Sequence, residues 1–130
     1  MLFYDLFRLD PEFIEINAGE DLFREGDSGN EMYVLIVGTA EVYIGGVLIG
    51  TCSQGDIVGE MAVVDGSPRY GTVSSVTKCK FVVIDKKRFL FLIDETPGFA
   101  LEVIRIIAKR LKACDLRVVT AVTSSQKTLG

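Results

Sequence analysis

The sequence predicts a mainly β domain: an antiparallel double-stranded β-helix of the jelly-roll or β-roll kind, with an embedded short helix and helices at its carboxyl end. Three observations lead there. Short runs of β-branched and aromatic residues follow one another from Phe13 to Ile84, separated by glycine-bearing turns. At Asp85 the hydrophobic period changes from two to a helical spacing. A length of 130 residues, with 48% hydrophobic and 25% charged residues, fits one domain with a sizeable core.

Residues 1–11 form a helical segment with Leu2, Phe3, Leu6, Phe7 and Leu9 on its apolar side, too short to be stable alone. The β-roll occupies 12–85. From Phe13, Glu15 and Asn17 alternate with Ile14 and Ile16, and Ala18-Gly19-Glu20-Asp21 turns the chain into a short strand at Leu22-Phe23. A polar loop from Arg24 to Asn30 precedes a buried strand, Met32 to Val37. Gly38-Thr39 leads to Glu41–Ile44, and Gly45-Gly46 is a two-residue hairpin signal before Val47–Thr51. Gln54-Gly55-Asp56 turns into Ile57-Val58, and further strands are expected at Thr72–Val76 and Lys80–Ile84.

The carboxyl-terminal helices cover 86–122, with 123–130 as a flexible tail. Asp85 is placed to cap the first, whose apolar face would be Phe89, Leu90, Leu92 and Ile93. Pro97 stops it and opens the second. There Leu101, Ile104, Ala108 and Leu111 make one apolar stripe, continued through Leu116, Val118, Val119 and Val122, with Arg105, Lys109 and Lys112 on another side. The stripe is expected to pack on the barrel; the competing reading is a homodimer seam, which Asp115 would interrupt.

Composition narrows the function. The formal net charge of −4 argues against a general nucleic-acid binder. Charge is nonetheless uneven: nine acids in 1–31 face Arg8 and Arg24, whereas 105–127 carry six bases and Asp115. With no histidine, the commonest general base and metal ligand are missing, which makes a jelly-roll metalloenzyme improbable. Cys52, Cys79 and Cys114 have no metal-ligand spacing and read as reduced, core-filling thiols of a cytoplasmic protein. No signal peptide is expected, because the start lacks a basic region, and no apolar run is long enough to span a bilayer.

The stretch that carries chemistry is Gly59 to Thr72. It places one carboxylate, Glu60, and one cation, Arg69, in a predominantly apolar run, with Asp65-Gly66-Ser67-Pro68 as a turn between them. Arg69 is the only basic residue between Arg24 and Lys78, and burying a lone guanidinium is costly unless an anion meets it. Gly59 lets the backbone approach a ligand, and a short helix from Met61 would put the amides of Met61 and Ala62 at its positive end. A phosphate on Arg69 and those amides, with a hydroxyl accepted by Glu60, suits this arrangement.

Gly59-Glu60-Met61-Ala62 followed by Ser67-Pro68-Arg69 resembles the phosphate-binding cassette of cyclic-nucleotide-binding domains, as found in kinase regulatory subunits, gated channels and catabolite-activator-type regulators. Gly26-Asp27, Met32-Tyr33-Val34, Gly38, Glu41-Val42 and Gly55-Asp56 match the family's succession of strands and turns, so the resemblance covers roughly residues 12–118. It implies a cyclic-nucleotide sensor with no catalytic residue, no metal and no cofactor beyond its ligand, cAMP or cGMP. Arg69 would hold the phosphate and Glu60 the ribose hydroxyl; Ala62 and Tyr70 would give backbone amides, and Gly59, Met61 and Gly71 complete the site.

Two residues depart from the family pattern. Tyr70 stands where relatives commonly carry alanine, serine or threonine, and a hydroxyl there helps to hold guanine. The tyrosine hydroxyl lies much farther from its backbone than a threonine hydroxyl, which favours cAMP. Gly71 replaces a usual alanine and would loosen the strand start by up to about 1 kcal/mol. The resemblance further implies that the last helix supplies a lid for the base, with Arg110 and Arg117 as candidates, and that closing the pocket draws the helices inward. No helix-turn-helix follows residue 120, so direct binding of nucleic acid is not expected and the signal would pass to an effector protein or another part of a longer chain. The alternative function is a structural or dimerisation domain with a vestigial pocket.

Overall fold

A computed structural model describes the backbone of residues 2–129, and the side chains of 3–114, 116 and 119–121. Eight strands form two antiparallel four-stranded sheets, with α1 (Leu2–Phe7) before them. The strands are β1 (Phe13–Ile16), β2 (Asp21–Phe23), β3 (Glu31–Val37), β4 (Ala40–Ile44), β5 (Val47–Cys52), β6 (Ile57–Val58), β7 (Thr72–Ser75) and β8 (Cys79–Asp85). One sheet has the order β1-β8-β3-β6 and the other β2-β7-β4-β5. The β-roll expected from the alternating pattern is therefore the fold.

Between the sheets lies a core of Leu35, Ala40, Cys52, Val58, Val73, Cys79 and Phe81, edged by Ile16, Leu22, Phe23, Tyr33 and Val42. Cys52 and Cys79 are two of its members, as their spacing and type suggested; Cys114 is exposed. Strand β3 is buried on both faces. Tyr33 and Leu35 face this core, while Met32, Val34 and Ile36 point the other way and are also buried, on the side where α1 packs. Two of the five apolar residues expected to anchor α1, Phe3 and Phe7, are buried, whereas Leu6 and Leu9 are exposed.

The chain divides into two compact units, with the boundary between Leu92 and Ile93. That boundary falls within α3 (Lys86–Glu95), which Asp85 caps: the Arg88 amide donates to Asp85 Oδ1 at 2.8 Å. Of the four apolar residues expected to form the buried face of α3, Phe89 is buried, but Leu90 and Ile93 are exposed.

The second unit is dominated by α4 (Pro97–Leu129), which begins at the expected proline. It differs from the expectation in two respects. It is one continuous element across 123–129, the stretch read as a tail, because no proline or glycine interrupts the sequence after Gly98 until Gly130. Among its described side chains, Phe99 and Val103 are buried, whereas Leu101, Ile104 and Leu111 of the expected stripe are exposed. Two apolar stripes are interleaved on this helix, and the one begun by the larger Phe99 is buried. The side chains of Asp115, Val118 and Val122, on which the continuation of the stripe was judged, lie outside the described residues.

Candidate cyclic-nucleotide site

Short helix α2 (Glu60–Asp65) sits between β6 and β7. It is entered through Gly59 at φ 80°, a left-handed conformation that costs a residue with a Cβ about 1–2 kcal/mol. Ala62 and Val63 are buried and α2 packs on β3, so their side chains seat the helix and bury Glu60 with it at 5% exposure. Met61 and Val64 point outward. Beyond the helix, Asp65 accepts the Ser67 amide at 2.9 Å. The Ser67 hydroxyl and amide hold the Asp65 carboxyl below its ordinary value.

Arg69 lies inside the protein, at 6% exposure. Loop 24–30 holds both its main-chain groups: the Arg69 amide donates to the Asp27 carbonyl at 2.8 Å, and the Gly26 amide to the Arg69 carbonyl at 2.8 Å. Its Nη1 donates to the Glu31 carbonyl at 2.7 Å and, more weakly, to the Gly59 carbonyl at 3.4 Å. The guanidinium stacks on the Phe23 ring with its Cζ 4.3 Å from the centroid, and lies 5.6 Å from that of Tyr33. Burial pushes the Tyr33 phenol above its usual value, helped by the Glu31 charge and opposed by Arg69. Nε of Arg69 is buried with no hydrogen-bond partner.

A buried N–H without an acceptor costs roughly 1–3 kcal/mol and is kept only where something else repays it. Here it belongs to a cation that is also held by neutral carbonyls and aromatic rings. The arrangement is suited to accept an anion at Nε.

The structure thus brings Gly59, Glu60 and Arg69 into one buried region, with Met61 and Ala62 on the adjoining turn. Tyr70 follows directly and is 71% exposed. Gly71 faces elsewhere: a Cβ on it would stand 2.8 Å from the Tyr43 carbonyl, so glycine here serves a close approach of β4. Arg110 is an exposed residue of α4, and the Arg117 side chain lies outside the described residues. Sequence reasoning missed Phe23, Glu31, Tyr33 and Gly29 around the guanidinium. Phe23 at a strand end just before a glycine-bearing loop was the one available signal.

Comparison with known proteins agrees with this geometry. The family model of the cyclic nucleotide-binding domain matches residues 13–96, and the chain belongs to that family. A curated relative, lysophospholipase nte1 of Neurospora crassa, is 30% identical over 107 residues, which make up 78% of this chain and 7% of the relative. The chain therefore spans only a small part of the curated proteins it matches. Among solved structures, cAMP-bound PfPKA-R superposes with a TM-score of 0.70 at 28% identity, covering 79% of this chain and 36% of that one. The catabolite activator protein of Thermus thermophilus gives a TM-score of 0.75 at 22% identity over 88% of this chain and 61% of that one, a likeness of fold. Among the described residues, no helix is long and apolar enough to cross a membrane.

Proposed function

We propose that this cyclic nucleotide-binding domain is a sensor for a cyclic mononucleotide, cAMP in preference to cGMP, and performs no catalysis itself. The observation that carries the reading is Arg69: buried at 6% exposure, held by carbonyls at one nitrogen and left without an acceptor at Nε. A cyclic phosphodiester offers oxygens that would neutralise the charge and satisfy that donor together. Glu60, buried on the first turn of α2, would accept the ribose 2′-hydroxyl; the amides of Ala62 and Tyr70 would add to the phosphate site, beside Gly59 and Met61.

The preference for cAMP rests on Tyr70. Its ring extends outward, which carries the hydroxyl away from the backbone position where family members hold guanine. Binding would shift the carboxyl-terminal helices, by as much as the ligand's affinities for their two positions differ. An effector protein, or another domain of a longer chain, would read that shift.

Isothermal titration with cAMP and cGMP tests the proposal. Saturable binding of cAMP, tighter than cGMP, is expected, and Arg69→Ala should abolish it. Undiminished affinity in that variant would remove the assignment. A flat thermal shift across cyclic mono- and dinucleotides would favour a structural domain instead.

A further inference from the structure

Gly29, in the loop between β2 and β3, lies against the guanidinium of Arg69. A Cβ built on it would stand 2.5 Å from both Nε and Nη2 and 2.6 Å from Cζ. Real Cβ atoms do not approach polar atoms so closely, so any other residue at 29 must displace the arginine or the loop. Nη1 is already engaged by Glu31 and Gly59, and the Phe23 ring stacks on the guanidinium. What remains is the Nε–Nη2 edge. It is the edge a phosphate can grip with two parallel hydrogen bonds, and its Nε is the donor left without an acceptor.

With Cζ almost as near as the two nitrogens, that Cβ would stand over the guanidinium face beside its Nε–Nη2 edge, so residue 29 borders the space where bidentate oxygens would sit and keeps only hydrogen there. We infer that Gly29 belongs to the anion site, as a positioning residue that sets the space available to phosphate oxygens at the Nε–Nη2 edge of Arg69. Loop 24–30 is tied to the same arginine through Asp27 and Gly26. The loop and the guanidinium form one packing unit, which a bound phosphate would join. This inference rests on the proposal that Arg69 is the phosphate ligand.

The test compares Gly29→Ala with Gly50→Ala, a β5 glycine with nothing within 4 Å of its would-be Cβ. With cAMP as probe, Gly50→Ala should bind like the wild type, and Gly29→Ala should lose affinity by at least about tenfold while keeping the wild-type circular dichroism spectrum. Equal affinity in the two variants would overturn the role of Gly29 while leaving that of Arg69 intact. No binding by the wild-type domain would overturn both. Amide NMR of the wild-type protein decides the matter should Gly29→Ala not fold. Titration with cAMP should move the Gly29 resonance saturably and leave that of Gly19, in the distant turn before β2, in place; an unmoved Gly29 resonance would refute the inference.

Discussion

Arg88, in the first turn of α3, is paired with the carboxylate of Asp10, just beyond the end of α1. The same guanidinium donates to the Val83 carbonyl at 3.4 Å and lies 5.4 Å from the Phe7 ring centroid, so one side chain ties α1, β8 and α3 together. Burial by itself would raise the Asp10 carboxyl. The hydrogen bonds from Arg88 and the Glu12 amide, with the Arg88 charge, outweigh it and bring the pKa below 3.8. A carboxyl depressed on folding stabilises the fold above its unfolded pKa and loses that contribution as pH falls through the folded value. Asp10→Asn should therefore cost about 1–3 kcal/mol at neutral pH, with the gap to wild type closing below about pH 4. Urea unfolding at several pH values measures it; a gap independent of pH would refute the ion pair.

Phe23 gives the guanidinium of Arg69 an aromatic platform, Cζ to centroid 4.3 Å. Leucine would keep much of the apolar bulk and lose the ring quadrupole. At about 0.5–2 kcal/mol for such a stack, Phe23→Leu should weaken cAMP binding by roughly two- to thirtyfold. Calorimetry reads the change, and unaltered affinity would mean that the stack does not hold the arginine in its binding position.

The role proposed for Glu60 is specific to one hydroxyl. Replacing the carboxylate by an amide turns a charge-assisted hydrogen bond into a neutral one, worth roughly tenfold in affinity. Glu60→Gln should therefore weaken cAMP by about that factor. It should leave 2′-deoxy-cAMP almost unaffected, because that ligand has no hydroxyl to lose. Equal losses for both nucleotides would assign Glu60 to the helix rather than to the ribose.

In β7, Ser75 is 4% exposed and its Oγ has no hydrogen-bond partner. Its backbone is nonetheless well anchored, by the Gly19 amide at 2.8 Å and the Glu20 carbonyl at 2.9 Å. Removing the hydroxyl should relieve an unmet desolvation cost, so Ser75→Ala is expected to stabilise the domain by about 1 kcal/mol. The denaturation midpoint should rise at constant slope. A fall would reveal a buried water as partner to the hydroxyl.

The strands were legible because their signals are local. Gly45-Gly46 joins Ile44 to Val47 as the hairpin dipeptide requires, and Asp85 caps the helix that follows it. Glu60 and Arg69 stood out as ionisable residues in an apolar run, and both are buried. What surrounds Arg69 was not legible, since its partners are far along the chain and two of them, Glu31 and Gly59, act through carbonyl oxygens that every residue possesses. Gly29 fits against the guanidinium because it lacks a side chain, which no pattern announces. On α4 the spacing of Leu101, Ile104, Ala108 and Leu111 was as regular as that of the residues actually buried. Periodicity measures the width of an apolar face; which side is covered depends on what lies beside the helix.

Loop 24–30 grips Arg69 by its amide and its carbonyl, so the side chain can exchange partners while the main chain stays still. Movement of the guanidinium is then a rotamer change, with no ladder of β7 to unzip. An anion that drew the guanidinium toward itself would therefore meet no slow unfolding step in either direction.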